Sequence, residues 1–347
     1  MNGFKEKGRL CLDWLAYVAL RLLICGISTV TLETCDRICR LIAWVLADWT
    51  KLRREVTDEN LVRVYGPLSE QQLSALRRKM WHHLLLMICE VAHAPRKIHR
   101  TNYADHFYMP HKRDVVRHVM QPEPVVLVTG HFGNFEIAGH VVGLLGTPTT
   151  TIARPLDNRF IDEYLGGFRE LSGQQLLPKE GSSVAVQELL ESGGSLALLA
   201  DQHAGGKGVW VDFFNSPTSC HKALALFVLS SKAPMCVNYT RRLDRPLRFE
   251  MGLTGVVDPN AYEGLPADEI PKHLTSVTEL TEWYNARLED AIRMSPEQYW
   301  WLHRRWRDVP EKVLRRLQKR RDAKRADSGS MAAPEPELAE ADNSAAA

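Results

Sequence analysis

The sequence predicts an α/β fold, a mixed, mostly parallel sheet flanked by helices, preceded by an N-terminal membrane-anchor helix. Three observations predict it. Between residues 124 and 260 the short β-branched or apolar runs VVLVT (125–129), TTTIA (149–153), SLALLA (195–200), PMCVNYT (234–240) and LRFEMGL (247–253) alternate with helical patterns. Alternation of that kind calls for a sheet with helices on its faces. The most apolar stretch, LCLDWLAYVALRLLICGISTVTL (10–32), stands apart at the start. Finally, 347 residues are enough to enclose a sizeable core.

Taken in order, the first stretch is interrupted by Asp13 and Arg21, so no window of eighteen residues is free of charge. Asp13, Tyr17 and Arg21 recur every four residues and draw a polar stripe along one helical face. The pattern suits a helix lying in the membrane interface, or a tilted anchor whose stripe packs on the protein. The same charges break the apolar region that a cleaved signal peptide needs, and no A-x-A site follows. A second apolar stretch, ICRLIAWVLADW (38–49), offers Trp44 and Trp49 to the headgroup level. In the segment that follows, Leu73, Leu76, Met80, Leu84, Met87 and Val91 fall at spacings of three and four, an amphipathic helix that also carries His82 and His83. Further helices are predicted over NFEIAGHVVGLL, NRFIDEYLGGFREL, SVAVQELLESG and TSVTELTEWYNARLEDAIRM, and one at SPEQYWWLHRRWR (295–307), where Ser295 and Gln298 have capping-box spacing and Pro296 suits the first turn. Domain bounds follow: 1–50 for the anchor segment, 51–325 for the α/β domain, and 326–347 for an acidic, Ala-rich tail without periodicity, expected to be disordered.

Charge and cysteine content narrow the function. Charged residues make up 25% and the formal net charge is +2, so the chain as a whole has no bias towards nucleic acid. Seven scattered cysteines contain no C-x-x-C pair, which gives neither a disulfide framework nor a zinc ribbon. His82, His83, His93 and His99 belong to no ligand framework, so no metal or redox cofactor is expected. In AGGKGVW (204–210), Gly208 follows Lys207 where a P-loop needs Ser or Thr.

One stretch concentrates chemistry. TGHFGNFE (129–136) follows the apolar run at 125–129, with Gly130 and Gly133 flanking His131. The glycines permit a tight loop, and Asn134 is a good N-cap for a helix starting at Phe135. On a regular helix, positions five apart diverge by about 140°. His131 and Glu136 therefore converge only if the histidine is on the loop and the carboxylate in the first helical turn. A carboxylate holding one ring nitrogen raises the basicity of the other, which can then take a proton from a hydroxyl. The plainer alternative is a histidine that caps a helix beside a carboxylate.

GHFGNFE resembles the H-x4-D/E signature of membrane glycerolipid acyltransferases, and is most similar to the GHFGNWE form of the bacterial lipid A biosynthesis (late) acyltransferases, with Phe135 in place of the usual Trp. Further blocks match in order over roughly 10–307: ARPLDNRFID, LLADQ, VDFFNSP and EQYWWLHRRWR. His203 and Asn215 depart from residues common there, an Asp and a Gly. The resemblance implies a glycerolipid acyltransferase-like fold and a membrane-bound O-acyltransferase that uses His131 as general base, oriented by Glu136. The acyl donor would be a thioester on acyl carrier protein or coenzyme A, and the acceptor a glycolipid such as a lipid A precursor. No enzyme nucleophile is required, and no G-x-S-x-G elbow occurs. An oxyanion at the thioester carbonyl needs donors, and the candidates are the backbone amides near Gly133 and Asn134 at the helix start and the guanidinium of Arg154. Arg154 and Asn158, four apart, can share a face that holds a phosphate or donor oxygen, the alternative being a structural pair of Arg154 with a carboxylate. Asp201, next to Gln202 at a strand's carboxyl end, either orders the site or is structural. Arg304 with Arg305 either grip a phosphorylated glycolipid or face water on a helix whose Trp side chains pack in the core. A soluble acyl carrier protein would place the catalytic domain on the cytoplasmic face of the inner membrane. An acyltransferase acting on another glycolipid, or a hydrolase using the same dyad, is the alternative.

Overall fold

A computed structural model of the chain describes residues 2–110, 112–119, 123–153, 155–178 and 181–327. Arg154 and almost all of the tail expected at 326–347 lie outside the described residues.

Four helices come first: α1 (Asn2–Thr29), α2 (Leu32–Asp48), α3 (Arg54–Tyr65) and α4 (Glu70–Lys97). The short α5 (Tyr103–His106), β1 (Phe107–Tyr108) and α6 (Lys112–Val119) lead into the alternating region. That region runs β2 (Val125–Thr129), α7 (Phe135–Leu144), β3 (Thr149–Ala153), α8 (Arg159–Glu170), β4 (Gln175–Pro178), α9 (Ser182–Glu191) and β5 (Ser195–Leu199). It continues through β6 (Val209–Phe213), β7 (Ser216–Cys220), α10 (Ala223–Ser231), β8 (Met235–Arg242) and β9 (Phe249–Val257), and α11 (Val277–Met294) and α12 (Glu311–Asp327) complete the described chain.

The main sheet has the order β1-β9-β8-β2-β5-β3-β4, and every neighbouring pair is parallel except β8 and β9. The mixed, mostly parallel sheet read from the sequence is therefore the fold. β2 lies inside, between β8 and β5, which is why its residues are an unbroken apolar run rather than an alternating one. Val126 and Val128 face one core with Leu196, Leu224, Val228, Leu280 and Tyr284. Val125 and Leu127 face the other with Val115 and Cys236. The β6–β7 hairpin turns on Phe214 and Asn215, both at positive φ (49° and 56°), a two-residue loop of the primed type. Asparagine tolerates the left-handed region, so Asn215 needs no glycine there.

The helical front differs in character from the rest. Gly8–Thr29 within α1 has a mean hydropathy of 1.9 and is long and apolar enough to cross a membrane, and none of that window is buried against the protein. The Asp13–Tyr17–Arg21 stripe does pack on the protein. Tyr17 meets Phe160 and Tyr164 of α8, the Arg21 guanidinium lies 4.8 Å over the Tyr164 ring, and the Asp13 carbonyl accepts from Asn158 Nδ2 (2.8 Å). In α2 the small residues Cys35, Cys39, Ala43 and Ala47 recur every four positions and bury one face, with Cys89 of α4 against Cys39. The opposite face leaves Ile38, Leu41, Ile42, Trp44 and Val45 exposed. In α4, Leu73, Met80, Leu84 and Met87 are buried as the spacing predicts.

One expected helix is absent. Over 295–307 only Pro296–Gln298 forms a turn of 3₁₀ helix. Ser295 makes no side-chain cap, and the Gln298 side chain instead bonds both backbone polar groups of Arg242 (2.7 and 2.8 Å). Beyond it the chain lies along the 131–134 loop, where Phe132 and Tyr299 form a β-bridge and Trp300 N donates to His131 O (3.0 Å).

Candidate active site

β2 ends at Thr129, and the next residues turn sharply into α7. Gly133 holds φ +59°, and a Cβ there would stand 1.9 Å from Thr240 O, so the turn requires glycine both for its conformation and for space. Asn134 Oδ1 accepts from Ile137 N and caps α7 as the sequence predicts. His131 is thus on the loop and Glu136 in the first turn of the helix.

The expected hydrogen bond between them is replaced by another. His131 Nδ1 lies 2.8 Å from Asp201 Oδ1, and His131 N donates to Asp201 Oδ2 at 2.8 Å. Sheet register brings this about: β2 and β5 pair in parallel with Thr129 opposite Leu199, and Ala200 N continues the ladder to Thr129 O. Two residues further on, 131 meets 201. Glu136 points elsewhere and takes Arg169 of α8 in a two-pronged pair, Nη2 to Oε1 at 2.5 Å and Nε to Oε2 at 3.1 Å. It still contributes its charge to His131 from nearby.

The electrostatics follow from that geometry. Burial disfavours a charged His131, but the charge and hydrogen bond of Asp201 outweigh this, with Glu136 adding, and the imidazole sits above its ordinary value. Asp201 is completely buried, which alone would favour its neutral form, yet His131 holds it well below the usual carboxylate range. An ionised Asp201 bonded to Nδ1 makes Nδ1 the protonated nitrogen and leaves Nε2 with its lone pair. Phe135, Trp300 and His303 stand around the ring at centroid distances of 5.2, 5.7 and 4.8 Å. Burial, and then the neighbouring His131, push His303 down to about 4.

His131, Phe135 and Glu136 line a cavity of about 710 Å³ that extends over the sheet beneath α7 and α8. Its walls are largely apolar, and Thr149, next to the Val125 row of the sheet through Ser195, lines it as well. From the Thr129 row to the Val125 row is about 13 Å along the strands.

The remaining expected site residues divide. Gln202 is exposed and lines the cavity, and Arg304 is exposed with no ionic partner among the described residues. Asn158 is spent on structure, its Oδ1 capping α8 at Phe160 N and Ile161 N and its Nδ2 bound to α1. Arg305 does not face a ligand: it is 1% exposed and donates to Gln202 O, Ser219 O and Asn285 Oδ1. Its aromatic neighbours and basic flank read as a surface grip in the sequence, but a buried guanidinium must be satisfied by the protein. The backbone amides of Gly133 and Asn134 are not oxyanion donors either, because they already donate to Gln298 O (3.0 Å) and Thr240 O (2.8 Å). Sequence reasoning missed Arg169 and His303. Arg169 lies 33 residues from its partner with no local signal, whereas His303 stood inside the WWLHRRW block.

Comparison with known proteins sets this geometry in context. The chain is 27% identical over 194 residues to the lipid A biosynthesis palmitoleoyltransferase of Escherichia coli K12, covering 55% of this chain and 58% of that protein. It is 26% identical over 271 residues to the lipid A biosynthesis lauroyltransferase of the same organism, covering 76% and 82%. The match to the lipid A biosynthesis acyltransferase of Shigella flexneri is again 27% over 194 residues and 58% of that protein. The sequence profile of bacterial lipid A biosynthesis acyltransferases matches residues 1–308, and the chain belongs to that family.

Proposed function

We propose that the protein is a membrane-bound O-acyltransferase that moves a fatty acyl chain from a thioester, on acyl carrier protein or coenzyme A, to a hydroxyl of a lipid A precursor. The observation that carries this reading is the His131–Asp201 pair, with His131 in the wall of a largely apolar cavity. Such a cavity suits a hydrocarbon chain, and the pair suits proton transfer beside it.

In the reaction, His131 Nε2 takes the acceptor hydroxyl proton as the oxygen attacks the thioester carbonyl. The negative charge passes to the carbonyl oxygen. As the carbonyl reforms, the C–S bond breaks and the imidazolium returns its proton to the departing thiolate sulfur. Asp201 holds the ring tautomer and stabilises the imidazolium. Arg169 lines the cavity and gives only Nε and Nη2 to Glu136, so its Nη1 is our candidate donor to the oxyanion. Glu136 then acts chiefly by aiming Arg169. Arg304, exposed and close in sequence to His303, is the candidate contact for an acceptor phosphate.

The apolar α1 and the exposed apolar face of α2 support attachment to a bilayer, with Trp44 and Trp49 at its surface. We assign the catalytic domain to the cytoplasmic face of the inner membrane, where a soluble acyl carrier protein is accessible.

The test is to incubate the purified protein in detergent with acyl carrier protein thioesters or acyl-CoA and a lipid A precursor, and to weigh the products. Acylated acceptor that is lost in His131→Ala is the expected result. Free fatty acid alone would make the protein a hydrolase, and transfer only to a different glycolipid would replace the acceptor.

A further inference from the structure

Beneath the 131–134 loop lies a buried polar assembly that touches neither the cavity nor His131. Glu90 of α4 is 0% exposed and pairs with Arg242 at the end of β8, accepting from Nε and Nη2 at 2.6 Å each. Its oxygens also accept from Asn134 Nδ2 (2.9 Å) and Leu247 N (3.1 Å), so the carboxylate is fully satisfied. Arg242 Nη1 lies 2.8 Å from His83 Nδ1. A guanidinium only donates, so His83 Nδ1 must accept, and the ring proton is forced onto Nε2. That Nε2–H donates to Gly133 O at 3.2 Å. Burial first, and the Arg242 charge second, keep His83 neutral, which preserves this one-way chain.

Gln298 closes the assembly from the other side. Its side chain clamps the Arg242 backbone, and its carbonyl accepts Gly133 N. The peptide groups on both sides of Gly133 are therefore held by residues from three distant parts of the chain.

Building on His131 as the general base, we propose that His83, Glu90, Arg242 and Gln298 are positioning residues for the reaction. They hold the Gly133–Asn134 backbone so that the His131 ring meets Asp201 on one side and the cavity on the other. A strand end followed by a glycine-flanked loop has no rigidity of its own. Buried charge-assisted hydrogen bonds supply it, and a fully satisfied network of that kind specifies a single geometry.

His83 provides the test. Gln at this position can accept from Arg242 through Oε1 and donate to Gly133 O through Nε2, while Leu fills the space without either bond. In the purified full chain we expect His83→Leu to lower kcat by roughly 10²-fold with KM changed less than about twofold, the effect of a misplaced reacting group rather than of lost binding. His83→Gln should recover most of that kcat. Independently of any variant, hydrogen exchange of wild-type peptides covering 131–135 should be slow, because the Gly133 and Asn134 amides are both bonded. Wild-type kcat in His83→Leu, equal losses in the Gln and Leu variants, or fast exchange at 131–135 would each overturn the proposal. His131→Ala in the same assay separates the two readings. Activity that survives there refutes the proposed base, whereas a dead His131→Ala beside an unaffected His83→Leu refutes the positioning assembly alone.

Discussion

Asp201→Asn is the sharpest perturbation of the proposed mechanism. In the native site both Asp201 oxygens accept, one from His131 Nδ1 and one from the His131 backbone N–H. Asparagine has one acceptor oxygen and one amide donor, so either the ring bond or the backbone bond is lost, or the ring changes tautomer. The negative charge disappears as well. Two unit charges about 4 Å apart at an effective dielectric near 20 interact by about 4 kcal/mol, the stabilisation that the imidazolium of the transition state would forfeit. Converted to rate, that is roughly 10³-fold in kcat. The pH profile should move too. A general base works when unprotonated, so native kcat falls as pH drops through the raised His131 value. In Asp201→Asn the burial cost is no longer outweighed, the ring loses its proton more readily, and the acidic limb shifts to lower pH. Single-turnover acyl transfer across a pH series reads both effects. A kcat within a few-fold of native, or an acidic limb that stays in place, would refute the assignment of Asp201 to His131.

Other predictions follow from the same geometry. Glu136→Gln and Arg169→Met should each lower kcat, and the double variant should cost little more than either single one, because the two side chains act as a pair; additive losses would separate them. Glu136→Gln should also move the acidic limb less than Asp201→Asn does, since Asp201 makes the larger contribution at His131. Gly133→Ala forces a positive φ and an overlap with Thr240 O, so unfolding should show a loss of about 2 kcal/mol or more together with reduced kcat. Thr151→Trp enters the cavity one strand repeat below Thr129 and should shift the preferred acyl chain to a shorter one. Each methylene excluded is worth about 1–3 kcal/mol of discrimination, readable from competition between acyl donors.

The two carboxylates near His131 show how far a sequence carries. Strand, glycine loop, N-cap and helix at 125–144 depend on neighbours a few residues apart, and local chemistry determines them: apolar β-branched residues for a central strand, glycine where φ is positive, asparagine at the cap. The position of the site at a strand's carboxyl end, the amphipathic α4 and the apolar α1 with its polar stripe were legible for the same reason. Which carboxylate holds the imidazole was not legible, because that depends on which strand lies beside β2. Parallel register with β5 brings residue 201 to residue 131 across seventy positions of chain. A carboxylate five residues away is carried off by the helix it starts, and is captured there by Arg169. Likewise, whether Arg305 meets a ligand or the core, and whether 295–307 coils or pairs with the loop, depends on groups that only the folded chain brings within hydrogen-bond reach. Local conformation is set by short-range sterics and capping, whereas partnership among buried charges is set by strand order and packing, which one-dimensional spacing does not contain.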